Sequence, residues 1–293
     1  MVQYAFPAGK VETGGHSFLV VAELAGWSIL VLAAGFAGWV DAIAGGGGLL
    51  TVPALLAWGL PPHVALGTNK LQAACGSGSA TWRFRHAGWV RLQDCLPGSL
   101  VACTTGALGS LAVQSVADRS LRHWIPLFLL AATFIVALRR NFAALRRHAR
   151  FPVGKMEPLA AILLGFYDGF FGPGTGTLWT MVLVSWGGLE LTVATARTKI
   201  MNFASNLGSL VVFAGCGMVS WKLGLAMGVA QAVGARLGAR MAVTRGRPLI
   251  RTVYLSVVAA LILRLLWDAW DKMPAHNEAS SPSTDPESLG IEP

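Results

Sequence analysis

The sequence predicts an all-α integral membrane protein built from two inverted repeats. Each repeat has about five hydrophobic segments and a broken or re-entrant helix at a glycine-rich motif. Three observations lead to this prediction. Of the 293 residues, 54% are hydrophobic and 13% are charged, whereas a soluble domain carries about 25% charged residues. The apolar stretches are continuous rather than alternating, which favours helices over a β-barrel. One polar motif occurs inside them twice, once in each half.

Ten apolar segments follow one another along the chain. A helix needs about 20 residues to cross the hydrocarbon core, and the second segment of each half is shorter than this. Both short segments directly follow a glycine-rich motif, so we interpret them as half-helices that dip into the membrane or as the second part of a broken span. The segments lie at about 18–43, 48–60, 64–82, 92–115 and 120–138, then at 157–172, 175–188, 194–215, 219–242 and 249–270.

The remaining stretches define the predicted domain boundaries. An N-terminal segment at 1–17 precedes the first transmembrane repeat at 18–138, and a basic connector at 139–156 leads to the second repeat at 157–270. The tail at 271–293 is rich in Ser, Pro and acidic residues and is predicted to be disordered. Basic residues concentrate in cytoplasmic loops, so the connector is predicted to be cytoplasmic. Equivalent loops of the two halves differ in basic charge, which predicts inverted halves.

Several function classes are disfavoured by composition. The formal net charge of +9 does not indicate nucleic-acid binding, because the Arg and Lys residues lie in short connections between apolar segments. The four cysteines form no C-x-x-C pair and no Cys/His ligand spacing, so we predict no metal site and no cofactor. No H-E-x-x-H or G-x-S-x-G motif occurs, and we therefore expect neither an enzyme nor a catalytic residue.

Two glycine-rich clusters are the first candidate for a binding site. Glycine permits a sharp break and a close approach to the backbone. The helix that starts after each break has N–H groups without intrahelical partners, and these groups suit an anion. Alternatively, the glycines only permit close helix packing. The candidate residues are Gly45, Gly46, Gly47 and Gly48 in the first cluster, and Gly172, Pro173, Gly174, Thr175 and Gly176 in the second.

A lysine closes each copy of the motif and is a candidate substrate ligand. A charge at the centre of a membrane helix costs about 2.5–3.5 kcal/mol, which is tolerable if Lys70 and Lys199 face a substrate, a carboxylate or a water-filled cavity. Alternatively, both lysines lie at helix ends and extend to the membrane interface. Arg197 beside Lys199 makes the second copy the stronger anion candidate. The other polar candidates are Thr68, Asn69, Thr198, Asn202 and Asn206, of which the last two share a helix face.

An aspartate precedes each glycine cluster by four residues, inside an apolar segment. Asp41 and Asp168 are therefore candidates for binding a proton in a coupled transport cycle. The alternative is a structural role, in which each carboxylate caps the following break or forms an ion pair with Lys70 or Lys199. The duplication of acid, break and lysine predicts a transport site built from two related halves.

Four stretches occur together in the same order as in one known family: Gly45–Gly48 followed by Pro53, 65–70, 172–176 and 198–203. They resemble the TauE/SafE sulfite-exporter family, and the resemblance covers nearly all of 18–270. It implies a multi-pass protein of a bacterial inner membrane that exports a small sulfur-containing anion of the sulfite or organosulfonate class. It also implies coupling to the proton gradient, and the inverted halves favour alternating access.

Two alternatives stay open at this point. The chain could be a passive anion channel, because broken helices in inverted repeats occur in channels too, or a carrier of another small organic anion. The expected partners are a small anionic substrate and the lipid bilayer, with a homodimer left open and no nucleic acid.

Overall fold

The computed structural model of the chain describes residues 16–138 and 151–271, and no strand occurs within these two ranges. The all-helical prediction is therefore confirmed for this part of the chain. Of the predicted domains, most of the N-terminal segment, most of the basic connector and nearly all of the tail lie outside it. The helices are α1 His16–Ala44, α2 Gly48–Ala57, α3 Pro62–His86, α4 Leu92–Gln114, α5 Asp118–Leu138, α6 Val153–Phe170, α7 Thr175–Ser185, α8 Leu191–Gly215 and α9 Trp221–Asp271.

The last two predicted segments, 219–242 and 249–270, correspond to the two parts of α9. These parts meet at a kink at Gly246, inside the break that we expected between 242 and 249. Gly246 has φ 61° and ψ −148°, a conformation that side chains larger than hydrogen rarely allow. The other predicted segments each correspond to one helix, with ends that differ by a few residues.

Two of the described helices contain a stretch that suits a membrane crossing by length and composition alone, namely Ala25–Ala44 and Leu92–Gln114. Helices α2 and α7 are apolar but shorter. Helices α3 and α8 are less apolar because they bury polar side chains, including Asn69, Lys70 and Lys199. A crossing by α3 or α8 would therefore need these side chains to be satisfied inside the protein.

Glycines allow the most extensive helix pairs to pack closely. Helix α4 packs against α6, and α9 packs against α1. A Cβ at Gly169 would lie 1.9 Å from the carbonyl oxygen of Gly106, and one at Gly234 would lie 1.9 Å from that of Gly35. No side chain fits at such distances, so glycine is required for these backbone contacts.

Helices α2 and α7 each fold back along the helix that precedes them. A Cβ at Gly26, in the first part of α1, would overlap the ring of Trp58, which follows the end of α2. Before the start of α6, the N–H of Phe151 donates to the carbonyl oxygen of Trp186, just after the end of α7, over 3.4 Å. Both short helices therefore run antiparallel to their predecessors and start at the glycine-rich breaks.

Candidate functional site

The two glycine-rich breaks contact each other. A Cβ at Gly45 would lie 2.6 Å from the backbone nitrogen of Thr177, and one at Gly48 would lie 3.3 Å from the Cα of Pro173. The hydroxyl of Thr177 donates to the carbonyl oxygen of Ala44 over 3.3 Å. The starts of α2 and α7 therefore lie side by side, although they come from different halves of the chain.

The sequence of each break explains its shape. Gly45 and Gly172 have φ values of 81° and 95°, in the left-handed region that favours glycine. The second break is also held by side chains, because the hydroxyl of Tyr167 donates to the carbonyl oxygen of Pro173 over 2.9 Å. The hydroxyl of Thr175 donates to the carbonyl oxygen of Gly172 over 2.6 Å. These contacts fix the backbone where α7 begins.

A polar cavity lies where the breaks meet α3, α8 and α9. The first residues of α2 and α7 line it, so the N-terminal ends of both helices are at its wall. Seven predicted site residues are not among its lining: Gly45, Thr68, Lys70, Pro173, Arg197, Thr198 and Lys199. The lining consists of Asp41, Gly46, Gly47, Gly48, Asn69, Ala73, Ser77, Asp168, Gly172, Gly174, Thr175, Gly176, Asn202, Asn206 and Gln231.

Two buried ion pairs cross between the halves of the chain at this cavity. The ammonium of Lys70 lies 2.9 Å from the carboxylate of Asp168, and that of Lys199 lies 2.9 Å from the carboxylate of Asp41. The lysines are 1% and 0% exposed. The lysine side chains therefore do not extend to a membrane interface. Instead, each lysine forms an ion pair with an aspartate, which is the structural role considered above for Asp41 and Asp168.

Each carboxylate uses both of its oxygens. Oδ1 of Asp41 accepts the N–H of Gly47 over 3.1 Å, while its Oδ2 accepts from Lys199. Oδ2 of Asp168 accepts the hydroxyl of Ser205, while its Oδ1 accepts from Lys70. Lys70 also donates to the backbone carbonyl of Asp168. The two buried ammonium groups are thus matched by two carboxylates, and the formal charge of the four side chains is zero.

Threonines tie each short helix to the lysine-bearing helix that follows it. The hydroxyl of Thr51 in α2 donates to Oδ1 of Asn69 in α3 over 2.7 Å. At the corresponding positions of the second half, the hydroxyls of Thr180 in α7 and Thr198 in α8 lie 3.1 Å apart. Thr68 instead accepts the backbone N–H of Ser220 over 3.0 Å. Thr68 and Thr198 therefore connect elements behind the cavity wall.

Arg197 does not reach the cavity. Its guanidinium donates to both carboxylate oxygens of Glu157 in α6, over 2.6 and 2.9 Å. It also donates to the carbonyl oxygen of Asp94 in α4 over 3.0 Å. Glu157 is 1% exposed, so this bidentate pair fastens α8 to α6. Sequence reasoning did not single out Glu157, because an acidic residue at the edge of an apolar segment is ordinarily solvated.

Two amide side chains are buried at the cavity with an unpaired oxygen. Oδ1 of Asn202 and Oε1 of Gln231 have no hydrogen-bond partner within the described part of the chain. Asn202 was predicted from its position after Lys199. Gln231 was not, because it lies outside the duplicated motif, although a polar residue in an otherwise apolar stretch of α9 was a usable signal.

The fold and the site define an all-helical protein with an ion-paired polar cavity between two folded-back helix pairs. The sequence profile described as sulfite exporter TauE/SafE matches residues 30–265. The chain belongs to this family, which confirms the resemblance drawn from the motifs.

Curated relatives match over most of their length. A probable membrane transporter protein, ORF9 of Sinorhizobium sp., is 41% identical over 241 residues, which cover 82% of this chain and 92% of that protein. The probable membrane transporter protein YfcA of Escherichia coli K12 is 38% identical over 259 residues, covering 88% and 96%. A probable membrane transporter protein of Haemophilus influenzae is 38% identical over 232 residues, covering 79% and 91%. No solved structure matches the chain.

Proposed function

We propose that this membrane transporter of the TauE/SafE family exports a small sulfur-containing anion across a bacterial inner membrane. The substrate is of the sulfite or organosulfonate class, and its movement is coupled to protons. The observation that supports this is the pair of crossed ion pairs beside two helix starts at one polar cavity. Helix N-termini and buried ammonium groups are the donors that bind oxyanions in proteins.

The aspartates hold the positions that an anion would take. Asp41 accepts from a backbone N–H at the start of α2 and from the ammonium of Lys199, which are the donor types that an oxyanion needs. An entering anion therefore competes with the carboxylates for the lysines. A protonated aspartate holds its lysine less strongly, so proton binding to Asp41 or Asp168 favours anion binding at the same site. Such reciprocal linkage is the physical basis of coupled transport.

We propose that transport proceeds by alternating access. We propose that residues 18–138 and 157–270 are inverted repeats, with α2 and α7 as re-entrant half-helices whose starts meet at the middle of the bilayer. The cross-half contacts support a common site, because the lysine of each half is satisfied by the aspartate of the other. Rocking one half against the other would open this site to one side at a time.

Flux measurements on the purified full chain in liposomes test this function. We expect efflux of radiolabelled sulfite that saturates with concentration and responds to an imposed pH gradient, and we expect Lys199→Ala to abolish it. Non-saturating flux without a pH response would indicate a passive anion channel. Flux of carboxylates but not of sulfite or sulfonates would indicate a carrier of another organic anion. No anion flux above protein-free liposomes would reject the proposal.

A further inference from the structure

Helices α3 and α9 run side by side in the same direction. A Cβ at Gly228 in α9 would lie 3.6 Å from the Cα of Gln72 in α3. Further along both helices, the hydroxyl of Ser79 donates to the carbonyl oxygen of Ala232 over 2.8 Å. Residues three or four positions apart share a face of a helix, as do those seven or eight apart. Side chains at these spacings after Ser79 and Ala232 therefore flank the line along which the two helices meet.

Basic and aromatic side chains occupy these positions on both helices. On α3, Trp82 and His86 lie three and seven residues after the contact. On α9, Arg236 and Arg240 lie four and eight residues after it, and all four residues are exposed. The rings of Trp82 and His86 stack, with their centroids 4.0 Å apart, and Arg85 completes a recess of about 210 Å³ beside them. We name these five residues the basic groove.

The basic groove has no counter-charge of its own. Neither 71–93 nor 221–267 contains an Asp or Glu residue, so no acid lies on the helix turns that carry the arginines. The ion pairs formed within residues 16–138 and 151–271 do not include Arg85, Arg236 or Arg240. Three guanidinium groups at one end of two adjacent helices repel one another. An anion held between them would remove this repulsion, and arginine binds phosphate through two parallel N–H bonds.

The basic groove lies at the depth where lipid headgroups are expected. Arg240 follows Gln231 of the cavity wall by nine residues, a rise of about 14 Å along α9. Half of the hydrocarbon core is about 15 Å thick, and we place the cavity at the middle of the bilayer. Trp82 is 52% exposed, and tryptophan is enriched at membrane–water interfaces. A ligand of the groove is therefore expected at the membrane surface.

An apolar stripe continues from the arginines toward the middle of the bilayer. Val229 and Val233 in α9 are 66% and 57% exposed. They precede Arg236 by seven and three residues, so the three side chains share one face of the helix. A phosphate above an acyl chain fits this succession of basic and apolar side chains, whereas a soluble phosphate ester would leave the valines uncovered. The pattern therefore favours a membrane lipid over a free anion.

We propose that the basic groove binds the headgroup of one anionic phospholipid, whose acyl chain lies along Val229 and Val233. Basic pockets between membrane helices are typical sites for such headgroups. The lipid contacts both α3 and α9 and so holds the ends of these helices together. This site is separate from the cavity, and the inference does not depend on which anion is transported.

Native mass spectrometry of the delipidated full chain in neutral detergent tests the proposal. Phosphatidylglycerol should bind at least about tenfold more tightly than phosphatidylcholine with the same acyl chains, because only the first carries a net negative charge. Arg236→Gln combined with Arg240→Gln should weaken phosphatidylglycerol binding by at least about tenfold. The matched control is Arg122→Gln combined with Lys222→Gln. It also removes two charges from exposed residues, but near the starts of α5 and α9, and it should bind the lipid as wild type does.

Each of the following results would overturn the inference. Equal affinity of wild type for the two lipids needs no variant and therefore no assumption about folding. Wild-type affinity in the groove variant, shown to be folded by its melting temperature, would place the lipid elsewhere. Equal losses in the groove and control variants would indicate attraction by overall charge instead of a site. Complete displacement of phosphatidylglycerol by an equal concentration of soluble glycerol phosphate would indicate a site for free phosphate esters.

Discussion

Lys70 and Asp168 are 98 residues apart in the sequence, yet their ammonium and carboxylate lie 2.9 Å apart in the interior. Their side chains are 1% and 4% exposed. Lys199 and Asp41 make the reciprocal contact over the same distance. Each of these four charged side chains, which would be destabilising alone in an apolar interior, thus has its ion-pair partner in the opposite half of the chain. The stability of each half therefore depends on the other.

Replacing one member of an ion pair should destabilise the protein more than replacing both members. Lys70→Met leaves the Asp168 carboxylate buried without its cation, which we expect to lower the free energy of unfolding by about 3–5 kcal/mol. Lys70→Met combined with Asp168→Asn removes both charges and should recover most of that loss. Chemical unfolding in detergent, followed by fluorescence, measures the difference. Equal destabilisation of the single and double variants would contradict a buried ion pair.

Asp41→Asn should uncouple transport from the proton gradient. The amide cannot exchange a proton in the cycle, so Lys199 is available to the anion at every pH. We expect sulfite flux to continue down its own gradient while an imposed pH gradient no longer drives accumulation, as measured in liposomes. Asp118→Asn is the control, because Asp118 pairs with His63 over 2.6 Å and does not line the cavity. Retention of pH-driven accumulation in Asp41→Asn would exclude this carboxylate as the coupling group.

Gly45→Ala should disrupt the contact between the breaks. Gly45 and Gly59 both have positive φ, 81° and 94°, so alanine is strained at either position by about 1–2 kcal/mol. At Gly59 nothing lies within 4 Å of the new Cβ, whereas at Gly45 the Cβ would meet the backbone nitrogen of Thr177 at 2.6 Å. We therefore expect Gly45→Ala to abolish flux and Gly59→Ala to lower the melting temperature only modestly. Full activity of Gly45→Ala would mean that the breaks do not need to touch.

Arg197→Ala should affect stability rather than substrate affinity. The guanidinium donates hydrogen bonds to Glu157 and to the carbonyl oxygen of Asp94. Removing it leaves Glu157 buried without a cation. We expect a loss of about 3–5 kcal/mol in unfolding free energy, with an unchanged dissociation constant for sulfite in the folded fraction. Arg197→Ala together with Glu157→Gln should restore much of the stability. If the Arg197→Ala variant stays stable but binds sulfite poorly, Arg197 contacts the substrate after all.

The features that could be predicted from the sequence are those determined by residues close together in the chain. Glycine clusters break helices by steric rules that act within a few residues, so the breaks at Gly45 and Gly172 and the short helices after them were predictable. The partner of a buried charge depends on tertiary packing. Sequence reasoning therefore allowed an ion pair for Asp41 and Asp168 without showing that each pair crosses between the halves.

Two site features were missed when the site was predicted from the duplicated motif. Arg197 was expected at the anion because it neighbours Lys199, but residues two apart on a helix point in different directions, and Arg197 faces Glu157 instead. Gln231 lies outside both copies of the motif, and only the packing of α9 against α1 and α3 brings it to the cavity. Residues outside the duplicated motif are therefore the ones that a search based on the motif misses.

We propose that the crossed ion pairs and the two helix starts together form one anion site. Equilibrium binding of radiolabelled sulfite to the purified full chain tests this proposal. The comparison is between wild type and two charge-neutral double variants, Lys70→Met with Asp168→Asn and Lys199→Met with Asp41→Asn, each checked for folding by its melting temperature. We predict saturable binding to wild type and its loss in both folded double variants. Unchanged binding in either variant would contradict the claim.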